Sequence, residues 1–216
     1  MIKICAFSDI HRAYENIYRL QPEIESSDIV VIAGDIGPVM WYTNWHAYKR
    51  TIAWINKPVL AVHGNWDGSL IQEFLSPYSV HAGFAIVDDA GFFGVGGSIK
   101  TPLTTPIEYT EEQIHEYLHK GFEHINHLPV KVLVSHTPPK NMCDRTLFKT
   151  HAGSNSVAQF CCEHNITLCI CGHIHEACGI GKLGNTTVVN TGSLKRGYYA
   201  SILVALNGVE ATIKRL

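Results

Sequence analysis

The amino-acid sequence predicts an α/β fold, built as one domain over residues 1–216. In the first third of the chain, short runs rich in β-branched residues alternate with stretches of helical periodicity, the pattern of strands joined by helices. A length of 216 residues fits one domain with a sizeable core. Hydrophobic residues make up 46% and charged residues 17%, a balance typical of a folded protein rather than a disordered one.

Five short apolar runs predict buried strands. Each is rich in Val, Ile or Leu, and β-branched residues favour pleated, half-buried or buried positions. Short runs that are apolar throughout are typical of strands covered on both faces. The predicted strands are residues 2–7, 29–32, 59–62, 130–134 and 168–171.

Helical periodicity separates the first three runs and returns later in the chain. Residues 44–56 carry Trp45, Tyr48, Ile52 and Ile55 at three- and four-residue spacing, which predicts an amphipathic helix. A capping box, Thr-x-x-Gln, predicts the start of another helix. The other predicted helices are residues 14–20, 69–72, 154–164, and 110–124 with the capping box at its start.

The middle and the end of the chain predict antiparallel strands. Residues 80–95 hold short apolar segments interrupted by Ala-Gly and Asp-Ala-Gly, which indicates hairpins at the edge of a sheet. Glycine-containing turns separate three further runs, residues 186–190, 200–205 and 209–213, and these predict more hairpin strands.

The charge balance gives no sign of a polyanionic partner. The formal net charge is -2, with 17 basic and 19 acidic residues, so we expect neither nucleic-acid nor membrane binding, although a local basic patch stays possible. The amino terminus is apolar for too few residues to resemble a signal peptide, which predicts a cytoplasmic protein. The sequence predicts no oligomeric state.

The seven cysteines are expected to be reduced core thiols without a function. Several lie inside apolar runs, as Cys5, Cys169 and Cys171 do. Cys169 and Cys171 have the alternation of a strand, and no second pair accompanies them as a thiolate metal site would require.

Polar clusters follow the predicted strands directly. Because the carboxyl ends of parallel strands meet at one edge of an open α/β sheet, we expect these clusters to converge on a common crevice. Taken singly, Asp-x-His is a common coincidence and Gly-Asp is more often a turn than a site, whereas Gly-His-x-His favours a metal site. The clusters are Asp9-Ile10-His11, Gly34-Asp35, Gly64-Asn65-Trp66-Asp67, Ser135-His136 and Gly172-His173-Ile174-His175.

The side chains in these clusters suit divalent metal ions. Carboxylate, imidazole and carboxamide groups bind borderline ions such as Mn, Fe, Zn or Ni, and the clusters contain no thiolate. Their number is enough for two ions.

The order of the clusters resembles the calcineurin-like metallophosphoesterases. That family has Asp-x-His, Gly-Asp, Gly-Asn-His-Asp or Glu, a His that ends a strand, and Gly-His-x-His, and this chain follows the pattern from residue 9 to residue 175. The resemblance implies a metallophosphoesterase fold, a four-layer α-β-β-α sandwich of two mixed sheets flanked by helices. It also implies that Asp9, His11 and His175 hold one metal ion, that Asn65, His136 and His173 hold the other, and that Asp35 bridges both.

The same resemblance implies a hydrolase. We expect two divalent ions, manganese for preference and Fe, Zn or Ni as alternatives, and attack on a small-molecule phosphate ester by a metal-bridging hydroxide. Asp35, Asn65 and His136 are the predicted catalytic residues. A phosphodiesterase is favoured over a phosphomonoesterase.

Trp66 departs from the family pattern. The family has a histidine there that is thought to protonate the leaving oxygen, whereas indole cannot give up a proton at useful pH. The substrate could have a good leaving group, another donor could act, or catalysis could be weak. The donor candidates are His63, Asp67, His151 and Arg12.

Several further interpretations stay open. Trp66 could be a core aromatic or a wall that stacks on a base. Arg12 or Arg145 could reach a phosphate oxygen, and residues 190–193 could close the site from another side. A metal-stabilised scaffold for protein interaction is the main alternative to an enzyme, and a nuclease is disfavoured by the near-neutral charge.

Overall fold

Two mixed β-sheets form the centre of the molecule. The computed structural model describes residues 1–37, 45–68 and 70–216, and describes side chains in the second range from residue 49 onward. The strands are β1 (Ile2–Phe7), β2 (Ile29–Ala33), β3 (Val59–Val62), β4 (Phe84–Val87), β5 (Ala90–Val95), β6 (Val130–Ser135), β7 (Leu168–Cys171), β8 (Gly179–Leu183), β9 (Thr186–Asn190), β10 (Tyr198–Ala205) and β11 (Gly208–Arg215). The helices are α1 (Tyr14–Arg19), α2 (Gln21–Glu25), α3 (Trp45–Trp54), α4 (Ile71–Leu75), α5 (Glu111–Phe122) and α6 (Asn155–Glu163).

Each sheet has a parallel centre and antiparallel edges. The first sheet has the order β11-β10-β1-β2-β3, in which β1, β2 and β3 run parallel and β10 and β11 run antiparallel to their neighbours. The second has the order β4-β5-β6-β7-β9-β8, in which β5, β6, β7 and β9 run parallel. The hairpins β4–β5 and β8–β9 close its two edges.

Apolar side chains between the sheets make the central layer of the core. Alternate residues of β1 face opposite ways, so Ile4 packs between the sheets while Cys5 and Phe7 pack against helices. The helices α1 to α4 cover the first sheet, and α5 and α6 cover the second. This is the four-layer α-β-β-α arrangement of the sequence prediction, which is confirmed.

Most predicted elements form close to the predicted bounds. The Thr110 hydroxyl accepts a hydrogen bond from Gln113 N and the Gln113 side chain accepts one from Thr110 N, so the predicted capping box begins α5. At the start of α6, Ser154 Oγ accepts a hydrogen bond from Val157 N, without the reciprocal bond of a capping box. The start of the predicted helix at residue 44 and that at residue 69 lie outside the described residues.

Three features differ from the expectations. Neither α2 nor β8 was predicted, because α2 is only five residues long with a proline in its first turn, and β8 has three polar or glycine residues out of five. The strand β9 pairs with β7 and β8 rather than forming a hairpin with β10, which lies in the other sheet. All seven cysteines are free, but Cys162 is exposed and so is not a core thiol.

The parallel strands of both sheets end at one side of the molecule. The five polar clusters follow β1, β2, β3, β6 and β7 there, as the sequence predicted. Within the described ranges, no helix is both long and apolar enough to span a membrane.

Candidate metal centre

Backbone hydrogen bonds hold the loops after the first strands together. Asp9 N donates to Gly34 O at 3.0 Å, and His11 N donates to Asp35 O at 3.1 Å. Ser193 Oγ donates to Asp9 O at 2.9 Å from the segment that follows β9. Residues 190–193, which the sequence placed at another side of the site, therefore support the Asp9 loop through Ser193.

The Asp67 side chain joins the loop after β2 to the loop after β3. One carboxylate oxygen accepts from Ile36 N at 2.9 Å and Gly37 N at 2.7 Å, and the other accepts from Gly64 N at 2.7 Å. Burial raises the pKa of Asp67 to about 6, although these bonds lower it. Asp67 fixes the spacing of the two loops that carry Asp35 and Asn65.

A first ligand group consists of Asp9, His11 and His175, whose ligand atoms lie within 4.8 Å of one another. Asp9 is fully buried, with His175 Nε2 2.9 Å and His11 Nε2 3.8 Å from its Oδ1. Burial lowers the pKa of His11 to about 4, so its imidazole is neutral and offers a lone pair. Burial alone would lower the pKa of His175 too, but the bond to Asp9 raises it overall.

A second ligand group consists of Asp9, Asp35 and His136. Oδ2 of Asp35 lies 3.6 Å from His136 Nε2 and 3.6 Å from His11 Nε2, so one carboxylate oxygen stands between the two groups. Burial, followed by the charges of Asp9 and Asp67, raises the pKa of Asp35 well above its ordinary value. Buried carboxylates packed this closely are costly unless a cation compensates them.

His136 and Asn65 present lone pairs to each other. His136 Nδ1 lies 2.7 Å from Ala33 O, and because a carbonyl oxygen can only accept, Nδ1 is the donor. Burial lowers the pKa of His136, so the ring is neutral and its Nε2 carries a lone pair instead of a proton. Nε2 then faces Oδ1 of Asn65, another acceptor, at 2.9 Å. Asn65 Nδ2 is buried without a hydrogen-bond partner among the described residues. Two converging acceptors fit a bound cation, and the bond to Ala33 orients the ring as such sites require.

His173 lies beside the second group but outside both. Its ring centroid is 5.0 Å from that of His136, and its backbone N donates to Asp9 Oδ2 at 3.0 Å. Burial lowers the pKa of His173 to about 3, which keeps its ring neutral. The seven sequence-predicted ligands thus surround one point of the fold, and their division between two ions stays a prediction.

Several predicted ligands have left-handed backbone conformations. The φ angles are 53° for Asp9, 42° for His11, 51° for Asp35 and 66° for His173. Such conformations are uncommon for residues other than glycine and cost free energy, of order 1–3 kcal/mol where strained. The backbone bonds from Asp9 N to Gly34 O and from His11 N to Asp35 O hold the Asp9 loop in this conformation.

Glycines give these side chains their space. A Cβ atom on Gly64 would overlap the Asp35 side chain, and one on Gly172 would overlap Ser8 Oγ and lie 2.5 Å from Asp9 Oδ2. Asp9 and Asp35 can therefore occupy their positions only because these neighbours lack a side chain.

A cavity of about 620 Å³, here named the metal cavity, opens beside the first ligand group. Three exposed cations, Arg12, Lys195 and Arg196, line it together with His11, Gly37, His175 and Ser193. The sequence interpretation missed Lys195 and Arg196. The signal was available, because they too follow an apolar strand, β9, whose parallel pairing with β7 brings its end to this edge.

Of the four alternative proton donors, only Arg12 lines the metal cavity. His63 is 1% exposed and its Nε2 is 3.1 Å from the Tyr109 hydroxyl. His151 Nδ1 is 2.6 Å from Asp144 Oδ1, and Asp67 accepts the backbone bonds described above. Trp66 is half-buried and Arg145 is exposed.

The sequence model of calcineurin-like phosphoesterases matches residues 2–177. An uncharacterized protein of Methanocaldococcus jannaschii is 34% identical over 208 residues, which cover 88% of this chain and 87% of that protein.

Solved structures share the fold at low sequence identity. A Thermus thermophilus protein has a TM-score of 0.75 at 23% identity, with 98% of both chains covered. A dimetal phosphatase from Danio rerio has a TM-score of 0.67 at 12% identity, over 97% of this chain and 98% of that one. An archaeal phosphodiesterase has a TM-score of 0.56 at 16% identity, over 99% and 100%. At these identities the likeness is one of fold.

Proposed function

The chain belongs to the calcineurin-like phosphoesterase family, and on that premise we propose that it is a phosphodiesterase that uses two divalent metal ions. Metal-dependent phosphoester hydrolysis is the activity of the family. The preference for diesters, a small-molecule substrate, manganese as the ion and a cytoplasmic location are parts of the proposal.

The position of Asp35 is the observation that carries this proposal. Its Oδ2 atom is 3.6 Å from both His11 Nε2 and His136 Nε2, which belong to different ligand groups. A carboxylate oxygen at equal distance from histidines of the two groups suits a pair of cations, because it would contact both and reduce their repulsion. The histidines add no negative charge, so the centre keeps a net positive charge for an anionic substrate.

The proposed ligands are those of the sequence prediction, with Asp35 shared. When bound, the two ions supply a water of lowered pKa and stabilise charge that builds up on the phosphoryl oxygens. Carboxylate oxygens, an amide oxygen and imidazole nitrogens, with no thiolate, are ligands that suit manganese. Arg12, Lys195 and Arg196 line the metal cavity, where they can orient a phosphate by charge-assisted hydrogen bonds.

The reaction adds one water to the ester. A new P–O bond forms to the water oxygen, the P–O bond to the leaving alcohol breaks, and the alcohol oxygen ends with a proton. Trp66 cannot give that proton, and His63 and His151 lie outside the metal cavity. A diester with a good leaving group needs no such donor, and for a poorer leaving group the proton would come from water, at a lower rate.

The fold relatives agree with this class. One is named an archaeal phosphodiesterase and another a dimetal phosphatase, both with nearly full coverage of this chain. Since their sequence identities are 16% and 12%, they support the fold of such an enzyme and leave the substrate to experiment.

Hydrolysis of bis-p-nitrophenyl phosphate and of p-nitrophenyl phosphate, with and without manganese, tests the proposal. We expect manganese-dependent release of nitrophenolate, faster from the diester. Asp35→Asn should lower the rate by at least about a hundredfold and reduce the metal content measured by mass spectrometry.

The matched control is Asp89→Asn, the same substitution in the exposed β4–β5 turn, which should retain both rate and metal. Full activity and metal content in Asp35→Asn would refute the bridging role. Absence of manganese-dependent hydrolysis of either ester would favour the scaffold alternative.

A further inference from the structure

A second cavity, here named the basic cavity, adjoins the metal cavity. It measures about 800 Å³ and is lined in part by Lys195 and Arg196, which line the metal cavity as well. Because they share these two residues, the two cavities are neighbours, and together they are here named the depression.

The depression is strongly cationic although the whole chain has a net charge of -2. Five cationic side chains line it, and among the described residues Glu15 is the one acidic side chain that does so. None of the five belongs to an ion pair with any residue that the structure describes. The cations are Arg12, Arg19, Lys195, Arg196 and Arg215. Uncompensated charge of one sign in a concave surface attracts an anion and raises its local concentration.

The cations of the basic cavity are held by neighbouring groups rather than by acids. Arg215 lies over the Tyr198 ring at 5.1 Å, and its Nε donates to Arg196 O at 3.3 Å. Arg19 Nη1 donates to Asn16 Oδ1 at 3.2 Å. These contacts limit the side-chain freedom lost on binding and leave other guanidinium donors for a ligand, since each guanidinium has five N–H groups.

The backbone couples the basic cavity to the metal centre. Lys195 N donates to Asp9 O at 3.2 Å, and Asn16 Nδ2 donates to Leu194 O at 2.8 Å. The turn that carries Lys195 and Arg196 is thus fixed to a predicted metal ligand on one side and to α1 on the other. A molecule bound in the basic cavity has a set position relative to the reacting phosphate.

We propose that the basic cavity is a subsite for a second phosphate group of the substrate. Resting on the proposed function, this inference names the substrate class: a small phosphodiester that also carries a terminal phosphate, as a 5′-phosphorylated dinucleotide does. The scissile diester lies at the metal centre, and the terminal phosphate contacts Arg19 and Arg215.

Two dinucleotides that differ only in the terminal phosphate test the subsite. With manganese-loaded protein, we expect kcat/KM for pApA to exceed that for ApA by about tenfold or more, the effect of one good charge-assisted contact. Arg19→Gln and Arg215→Gln should each reduce this preference several-fold. Lys182→Gln removes one positive charge from the exposed side of β8, away from both cavities, and should leave the preference unchanged.

Binding to metal-free protein gives a readout that does not depend on catalysis. Calorimetry should show tighter binding of pApA than of ApA, with the difference reduced in Arg19→Gln and Arg215→Gln. Equal kcat/KM and equal affinity for the two dinucleotides would overturn the subsite, even if bis-p-nitrophenyl phosphate is hydrolysed and the proposed function stands.

Inorganic phosphate separates a substrate subsite from a site for a free ion. Phosphate binding that is lost in Arg19→Gln and Arg215→Gln, together with equal kcat/KM for pApA and ApA, would mean that the cavity holds a free anion. The proposal would then be wrong. If kcat/KM continues to rise with strand length beyond the dinucleotide, the ligand is a nucleic-acid strand, which also overturns it.

Discussion

The backbone N–H of Trp66 donates a 2.9 Å hydrogen bond to Oδ1 of Asp35. This bond leaves the other carboxylate oxygen, Oδ2, to face His11 and His136. Residue 66 thus orients the proposed bridging ligand through its backbone, whatever its side chain is. The tryptophan removes a proton donor from the site without disturbing the support of Asp35.

We predict that Trp66→His gains activity toward esters with poor leaving groups. The backbone bond to Asp35 is unaffected by the side chain, while imidazole can protonate a leaving oxygen, which is worth about a hundredfold or more when well placed. Rates should rise for alkyl phosphodiesters and change little for bis-p-nitrophenyl phosphate. Trp66→Phe is the control, because phenylalanine has no side-chain group that can protonate the leaving oxygen. An equal gain in Trp66→Phe would show that side-chain size, not acid catalysis, is responsible.

We predict that Gly64→Ala lowers metal content and activity together. Its Cβ would overlap the Asp35 side chain, so the carboxylate must move away from the histidines. Misplacement by about an ångström can cost of order a hundredfold in rate. Gly68→Ala, in the same loop, meets no heavy atom within 4 Å and serves as the control. Normal metal content in Gly64→Ala would contradict the tight fit.

We predict that Asn190→Asp destabilises the protein strongly at pH 7. The fully buried Asn190 donates through Nδ2 to the carbonyl oxygens of Cys143, Gly172 and Ile174 at 3.0–3.3 Å. A carboxylate would face three acceptors with no donor to offer, which costs about 3 kcal/mol or more. Denaturant unfolding measures the loss, and Asn207→Asp in the exposed β10–β11 turn should be nearly neutral. A small loss in Asn190→Asp would show that the Gly172 loop is held by other contacts.

We predict that Glu108 stabilises the loop behind Asn65 in a pH-dependent way. Oε1 of Glu108 accepts bonds of 2.7–3.1 Å from the backbone N and the hydroxyl of both Thr101 and Thr105. Burial acts to raise the pKa of Glu108, but these bonds lower it to about 2 overall. The adjacent Ile107 N donates to Asn65 O at 3.1 Å, which links this loop to the site.

The direction of this pH dependence follows from the lowered pKa of Glu108. An ionised Glu108 stabilises the folded state fully above the unfolded-state pKa of about 4.3, and the effect is lost as the pH falls toward 2. Because the carboxylate is largely solvated, we expect about 1 kcal/mol at pH 7. The difference in unfolding free energy between the protein and Glu108→Gln should shrink between pH 5 and pH 3. If the difference in unfolding free energy does not change with pH, the stabilisation comes from packing of the Glu108 side chain and not from its charge.

Local sequence signals predicted most elements of the fold. The capping box of Thr110 and Gln113 needs only four consecutive residues, and it formed as expected. The apolar runs of β1, β3, β7 and β9 matched their predicted bounds because their limits are set by polar or turn residues next to them. The strand β8 was missed because Gly179 and Gly181 leave little apolar pattern, and pairing with β9 is what makes it a strand.

The sequence by itself determined the residue types at the strand ends, and with them the chemistry of the candidate centre. Only the tertiary structure decided which of these groups meet. The bond from His136 to Ala33 crosses from one sheet to the other, and the cations at positions 12, 19, 195, 196 and 215 gather in one depression only after β10 and β11 join the first sheet. The reason is physical: local patterns fix the backbone of short segments, whereas contacts between distant segments depend on how the buried apolar faces pack together.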